Sequence, residues 1–173
     1  MLDNELYKLL ISIINDGLAA RGVDNALVRQ SYQPTQQAVK KNPAIFIHKI
    51  HSPQGSYGLE YNEDGTRTQI TYASSVFQID ALSPQDPEDI NAITAYDLLT
   101  YVSDELQSPD IIKKLNDHGL GILRVTDISP TEFKNNWDQF ELSPSFTVTI
   151  VNNRRYTKAV DQVDRVQGQD YGV

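Results

Sequence analysis

Three histidines and a few clusters of carboxylates are the side chains of this sequence with chemistry beyond packing. His48 and His51 sit three apart in Ala44-Ile45-Phe46-Ile47-His48-Lys49-Ile50-His51, a run rich in β-branched and aromatic residues that reads as a strand. Strand positions three apart face opposite ways, so the pair is not expected to close on one metal ion. His118 precedes Gly119 at a helix end, where an imidazole suits the negative end of the dipole and no second ligand lies at helical spacing. Asp86, Glu88 and Asp89 could hold a hard cation, but with Pro87 they also make a complete helix start: an acceptor at the cap, proline in the first turn, carboxylates at the positive end. Asn62-Glu63-Asp64-Gly65 resembles a calcium loop only superficially, since the repeating acidic ligands and terminal glutamate are missing, and it reads as a hairpin turn. Gly119-Leu120-Gly121 follows a helix and precedes a strand, the reverse of a dinucleotide fingerprint, and Arg124 occupies the third glycine position. Gly-x-Ser-x-Gly, phosphate-loop and His-Glu-x-x-His patterns are absent. No catalytic residue, metal or cofactor is therefore expected. A small-molecule enzyme using scattered His and carboxylates is the rival, and would need a pocket of convergent titratable groups.

The bulk properties narrow the classes further. With 173 residues the chain falls in the range of one domain that can bury a substantial core unaided. It contains no cysteine, which excludes disulfides and thiolate chemistry and fits a reducing compartment. Fifteen basic against twenty-three acidic side chains leave a net charge of -8, the wrong sign for gripping phosphates, so a nucleic-acid binder is disfavoured. The opening residues have no basic region, and Lys8, Asn15 and Asp16 interrupt their apolar run, so neither a signal peptide nor a membrane span is expected.

Several elements can be drawn from periodicity and punctuation. Leu6, Leu9, Leu10, Ile13, Ile14 and Leu18 recur at three- and four-residue steps, giving an amphipathic helix from Asp3, its N-cap, to about Arg21, ended by Gly22. Leu10 and Ile13 belong to its buried face. Residues 44–51 form a strand, residues 52–67 a long turn-rich loop, and residues 68–82 a second strand with both faces partly apolar. A helix is expected from the Asp86-Pro87 start, with Ala92, Ala95, Tyr96, Leu99, Val102, Ser103 and Leu106 inward. A short helix with Ile111, Ile112 and Leu115 follows Ser108-Pro109, then a strand over 120–128, a loop around Pro130 and Asn135-Asn136, and a strand over 140–151. Pro144 within that strand marks an edge, a bulge or the true strand start. From Asn152 on the chain is polar. There Arg154, Arg155 and Lys158, near Asp161 and Asp164, are expected to form salt bridges or to meet an acidic partner surface. The order of elements predicts an α+β fold: a single-domain sandwich with an antiparallel or mixed β-sheet, helices packed on one face, and a polar C-terminal arm. The domain spans residues 1–151 and the arm 152–173.

An ordered set of segments carries a family resemblance across roughly residues 25–151. The set comprises Ser31-Tyr32-Gln33-Pro34-Thr35-Gln36-Gln37, Tyr57-Gly58, Phe77-Gln78-Ile79-Asp80-Ala81-Leu82, Gln85-Asp86-Pro87 and Thr94-Ala95-Tyr96-Asp97-Leu98-Leu99. It continues with Gly119-Leu120-Gly121-Ile122-Leu123-Arg124-Val125-Thr126-Asp127 and ends on Phe140-Glu141-Leu142-Ser143-Pro144-Ser145-Phe146. In this order they resemble the neck terminator, or gateway, proteins of tailed bacteriophages. The match departs at Ile128-Ser129-Pro130-Thr131-Glu132-Phe133, where Arg-Asn-Pro is expected, and leaves the segment after Asn152 outside.

The resemblance implies a virion structural protein that assembles with itself as a ring, typically a hexamer, between the head-tail connector and the tail tube and sheath. It implies neither catalytic residue nor cofactor. Such a ring would be made in the host cytoplasm, and DNA would cross its lumen without sequence-specific binding, an acidic wall keeping the duplex off by like charge. A head-completion or other tail-tube-capping protein of the same neck is the alternative. The candidate contacts to other subunits or rings are Tyr57, Glu60, Tyr61, Glu63, Asp64 and Arg67 in the loop, with Arg154, Arg155 and Lys158 in the arm. The arm itself is expected to become ordered against another subunit, with Val160, Val163 and Val166 as a docking edge.

Overall fold

A computed structural model describes residues 3–30, 42–52, 54–83, 92–130, 132–134 and 140–159. The first helix, α1 (Asp3–Ala20), buries Leu6, Tyr7, Leu10, Ile13, Ile14 and Leu18 as its periodicity requires, while Leu9 is only partly covered. It ends at Gly22, whose φ of 77° lets the Val23 amide donate to the Leu18 carbonyl and the Gly22 amide to that of Ala19, the paired bonds that close an orphaned last turn. Asp3 is the first described residue of the helix, and its carboxylate meets the Lys49 ammonium at 2.9 Å.

The strands are β1 (Leu27–Gln30), β2 (Ala44–His51), β3 (Gln54–Tyr61), β4 (Thr66–Leu82), β5 (Leu120–Val125), β6 (Glu132–Lys134), β7 (Phe140–Leu142) and β8 (Ser145–Ala159). Six of them make one mixed sheet in the order β1-β2-β4-β8-β5, with β3 also on β4; only the β1–β2 pair is parallel. The remaining two, β6 and β7, pair as a separate hairpin. Strand β4 is the spine. β2 and then β3 follow one another along one of its sides, and β8 runs the other side without a register break from Thr66 opposite Ala159 to Asp80 opposite Ser145.

Helices α2 (Ala95–Leu106) and α3 (Pro109–Asp117) join α1 on one sheet face, α2 over β4, α3 against β5, and α1 against α2. Under them the sheet contributes Val28, Ile45, Ile47, Phe77, Ile79, Ala81, Phe146, Val148 and Ile150, and the helices add Leu10, Ile13, Leu98, Leu99, Val102, Leu106 and Leu115. Arg21 ties α1 to α2 at the edge of this core, lying 5.0 Å over the Tyr101 ring and near the carboxylates of Asp104 and Glu105.

Several expectations need correction. α2 begins at Thr94, not at Asp86-Pro87. The Thr94 hydroxyl accepts from the Asp97 amide and the Asp97 carboxylate accepts from the Thr94 amide, so a reciprocal box sets the start of α2. Asp86, Glu88 and Asp89 lie outside the described residues. In α2, Leu98 joins the core and Tyr96 is exposed, unlike the expected inner stripe. Residues 52–67 are not a loop: β3 occupies most of them, and the turn is confined to Asn62–Gly65. A short strand, β1, pairs in parallel with β2 in a segment to which the sequence assigns no element. Pro144 precedes the true start of β8, one of its three anticipated roles, and β8 continues past Val151 to Ala159, eight residues beyond the expected edge of the sheet. The Ser108 cap, the proline at the start of α3 and the stop at Gly119 (φ 69°) stand as read.

Candidate interaction surface

The nine candidate contact residues fall together on one structure. Beyond the rung where Leu120 pairs with Asn152, β5 ends, and β2 has given way to β3, so β4 continues outward flanked only by β3 and by the last half of β8. The result is a three-stranded antiparallel ribbon. Its rungs are fixed by register: Tyr61, Arg67 and Lys158; Glu60, Thr68 and Thr157; Leu59, Gln69 and Tyr156; Gly58, Ile70 and Arg155; Tyr57, Thr71 and Arg154. Glu63 and Asp64 occupy its tip. Residues from a presumed loop and a presumed arm, about ninety apart in sequence, are thus cross-strand neighbours.

Alternation along the strands divides the rungs between two faces. Tyr57, Leu59 and Tyr61 on β3, Arg67 and Gln69 on β4, and Tyr156 and Lys158 on β8 share one face. It is the same side of β4 and β8 that carries Phe77, Ile79, Val148 and Ile150 beneath the helices. Past the helices that side is uncovered: Tyr57, Tyr61 and Tyr156 are 68, 72 and 66% exposed. The ribbon holds five of the ten large apolar side chains exposed among the described residues, Tyr57, Leu59, Tyr61, Tyr72 and Tyr156, a concentration that scattered surface hydrophobics do not show. The reverse face buries Thr68 and Ile70 on the central strand.

The tip is built tightly. The Gly65 amide donates to the Asn62 carbonyl and the Asn62 amide to that of Thr66, with Gly65 at φ 77°, a turn followed by a left-handed residue that suits the twist of a hairpin. Asp64 accepts from the Thr66 amide at 2.9 Å and from its hydroxyl at 2.6 Å, and these bonds hold its carboxyl below the usual range. The Asn62 amide group donates to Thr66 Oγ1 and Thr68 Oγ1, and Thr68 Oγ1 lies 3.0 Å from Thr157 Oγ1, so a polar chain runs from the turn across β4 to β8. At the other end of β3 a register shift between Gln54 and Tyr57 brings Gly55 against the Tyr72 carbonyl oxygen, leaving no room for a Cβ.

The histidines are placed elsewhere. A register shift between Lys49 and His51 puts His51 opposite Val76 and His48 opposite Gln78, so the two share a face and the strict alternation that separates them in sequence does not hold. His51 is exposed, while His48 Nδ1 lies 3.2 Å from Oδ2 of Asp80, a carboxylate only 3% exposed. Gln78 Nε2 donates to the other oxygen at 2.7 Å. Burial pushes the Asp80 carboxyl above its usual range, with Gln78 and His48 opposing the shift. Phe46 separates this pair from Arg29, whose guanidinium stands 5.0 Å from the ring centroid. The arrangement orders the sheet face away from the helices. His118 is the terminal residue of α3. Among the described residues no three His, Asp or Glu are grouped to hold a metal, and no helix is long and apolar enough to cross a membrane.

Sequence reasoning did not find Asp80 or Leu59. Nothing local marks Asp80, which meets its partner from another strand; the alternation Tyr57-x-Leu59-x-Tyr61 was the available signal for the aromatic face.

A family model described as E217 gateway protein gp29 matches residues 5–162. The match therefore includes the β8 extension that the resemblance left outside. No curated protein matches. A solved structure titled as the cryo-EM structure of the anti-feeding prophage cap, the AFP tube terminating cap, is similar at 15% identity with a TM-score of 0.43. The alignment covers 94% of this chain and 59% of that one.

Proposed function

We propose, on the premise that this chain belongs to the E217 gateway protein gp29 family, that it works as a ring subunit at the neck of a tailed phage particle. A structural role in the neck and tail terminus follows from that membership. The finer reading is ours: several copies, six on the family expectation, close into a ring that meets the head-tail connector on one side and the tail tube and sheath on the other, and DNA crosses the opening. The family match over residues 5–162 is the observation that carries it.

Two features of the chain support the finer reading. An asymmetric domain with unlike surfaces on its two sides associates head to tail, and such contacts close into a cycle when the rotation permits. The projecting ribbon supplies such surfaces, with Tyr57, Tyr61, Glu60, Glu63 and Asp64 toward one edge and the tip, and Arg155, Tyr156 and Lys158 on the other edge. The ribbon has three acidic and four basic side chains, so the excess negative charge lies on the rest of the domain, where it suits a wall that repels the duplex.

The chain has no cysteine, so Asp64→Cys gives one thiol for a gold label at the ribbon tip. On assembled particles the label should cluster at the head-tail junction, and the native mass of the purified protein should be a single multiple of 19.5 kDa. Label along the tail shaft or capsid, or a protein monomeric at every concentration and missing from particles, would overturn the reading.

A further inference from the structure

Two strand edges of the ribbon have no partner among the described residues. β3 pairs only with β4, leaving its outer edge open along Gln54–Tyr61; β8 beyond Asn152 also pairs only with β4, leaving residues 153–159 open on the opposite side. Open edges of this length are templates for another strand, and natural proteins shorten, bulge or cover them when pairing is unwanted. These edges are nearly equal in length and opposite in charge. Glu60, with Glu63 and Asp64 at the adjoining turn, makes one acidic; Arg155 and Lys158 make the other basic.

We infer that the β3 edge of one copy pairs with the β8 edge of the next, so that the ribbons join into one continuous sheet around the ring. The occupant of each edge is a second copy of this chain. Direction supports it: β3 and β8 are each antiparallel to β4 and therefore parallel to each other. A rotation about an axis along the ribbon preserves strand direction, so the β8 edge of one copy meets the β3 edge of its neighbour in parallel, the same relation at every junction. Chemistry supports it as well. Pairing places Glu60 beside Arg155 and Thr157 of the neighbour, which share its face, and it carries the aromatic side of the ribbon across the junction, from Tyr156 to the neighbour's Leu59 and Tyr61. The contact is heterologous, with a different edge on each side, which generates a cycle and not a two-fold dimer.

This inference rests on the ring reading, and the test separates the two. In the cysteine-free 173-residue chain, Glu60→Cys is made alone, and Arg155→Cys, Thr157→Cys and Ala159→Cys are made separately to sample three registers on the same face. Assembled mixtures of Glu60→Cys with each β8 variant are oxidised, beside each variant by itself, and native mass is recorded for wild type. The expected result is disulfide dimers in at least one mixture and in no single variant, and a ladder of covalent oligomers when both substitutions share one chain. Dimers from a single variant alone mean like edges pair, which overturns the inference. No cross-link in any mixture while wild type remains a ring overturns edge pairing and leaves the ring standing. A wild type that is only monomeric overturns both. Charge supplies an independent readout: Arg155→Glu with Lys158→Glu should abolish the ring, and Glu60→Lys with Glu63→Lys in the same chain should restore it; failure of the swap to restore assembly of a folded chain counts against the inference.

Discussion

Tyr7 connects the helical layer to the point where the ribbon begins, and its replacement offers a sharp test. Its ring is buried in α1 and meets Phe77 edge to face, centroids 5.3 Å apart at 86°, while its hydroxyl accepts from the Lys49 amide at 2.8 Å. Lys49 stands at the register shift in β2, where the ladder is irregular and a side chain from the helix satisfies the strand amide. Tyr7→Phe keeps the ring pair and deletes the acceptor of the Lys49 amide. A partly buried amide left without a partner costs about 1–3 kcal/mol, more than the roughly 0.5–1.5 kcal/mol of a typical net hydrogen bond. Tyr7→Ala removes the ring too, adding about 3–5 kcal/mol for truncating a buried aromatic. Against a total stability of roughly 5–15 kcal/mol, the first variant folds and the second loses a large share of its margin. Urea unfolding gives both differences, and amide exchange at Lys49 gives the local one. A Tyr7→Phe loss under about 0.5 kcal/mol, with Lys49 still protected, would refute the reasoning, because water or a shifted strand would then supply the acceptor.

Thr94→Ala breaks the reciprocal cap of α2 and should cost about 1 kcal/mol in urea unfolding, with Asp97→Ala costing a similar amount and the pair less than their sum. Leu99→Ala, at a fully buried site, should cost about 2–5 kcal/mol by the same measurement. Gly65→Ala forces a side chain into positive φ at the ribbon tip; exchange should quicken at Asn62 and Thr66 while the amides of Phe77 and Ile79 keep their protection. Asp80 tests pH. Its folded carboxyl titrates above the usual value of 3.8, so the folded chain binds the proton more tightly than the unfolded one; the ionised group's penalty is absent below that value and grows as pH rises through the raised one. Asp80→Asn, which keeps an acceptor for Gln78, should gain on wild type across that window, and pH-independent differences in urea midpoint would contradict the assignment.

What could be read from the sequence was whatever burial or capping had written into it. The faces of α1 and the stop at Gly22 follow from spacing and a positive φ, and Leu10, Ile13 and Leu99 are buried as expected. The turn at Asn62–Gly65 was equally legible. β3 and the end of β8 were not, because both lie where little packs against them: charges and tyrosines sit where a core strand would alternate with leucine or valine, and Gly55, needed for the close approach to Tyr72, looks like a loop residue. The contact residues were picked out, yet their adjacency was invisible, since Arg67 and Lys158 become neighbours only through the β4–β8 register. His48 and Asp80 hid for the same reason, and no local signal announces the register shift that brings His51 to their face.

The unbroken β4–β8 ladder makes the molecule a mechanical lever. Fifteen consecutive rungs join the exposed tip to the buried end at Asp80, and β4 alone spans about 55 Å at roughly 3.3 Å per residue. A pull along the ribbon loads those rungs together, in shear, so none can fail before its neighbours share the force; a pull across the tip would peel them one by one. Load delivered along the axis therefore reaches Phe77 and Ile79 under the helices without a hinge on the way. A joint that transmits tension between two large bodies benefits from this anisotropy, stiff along its length and yielding only to a sideways tear.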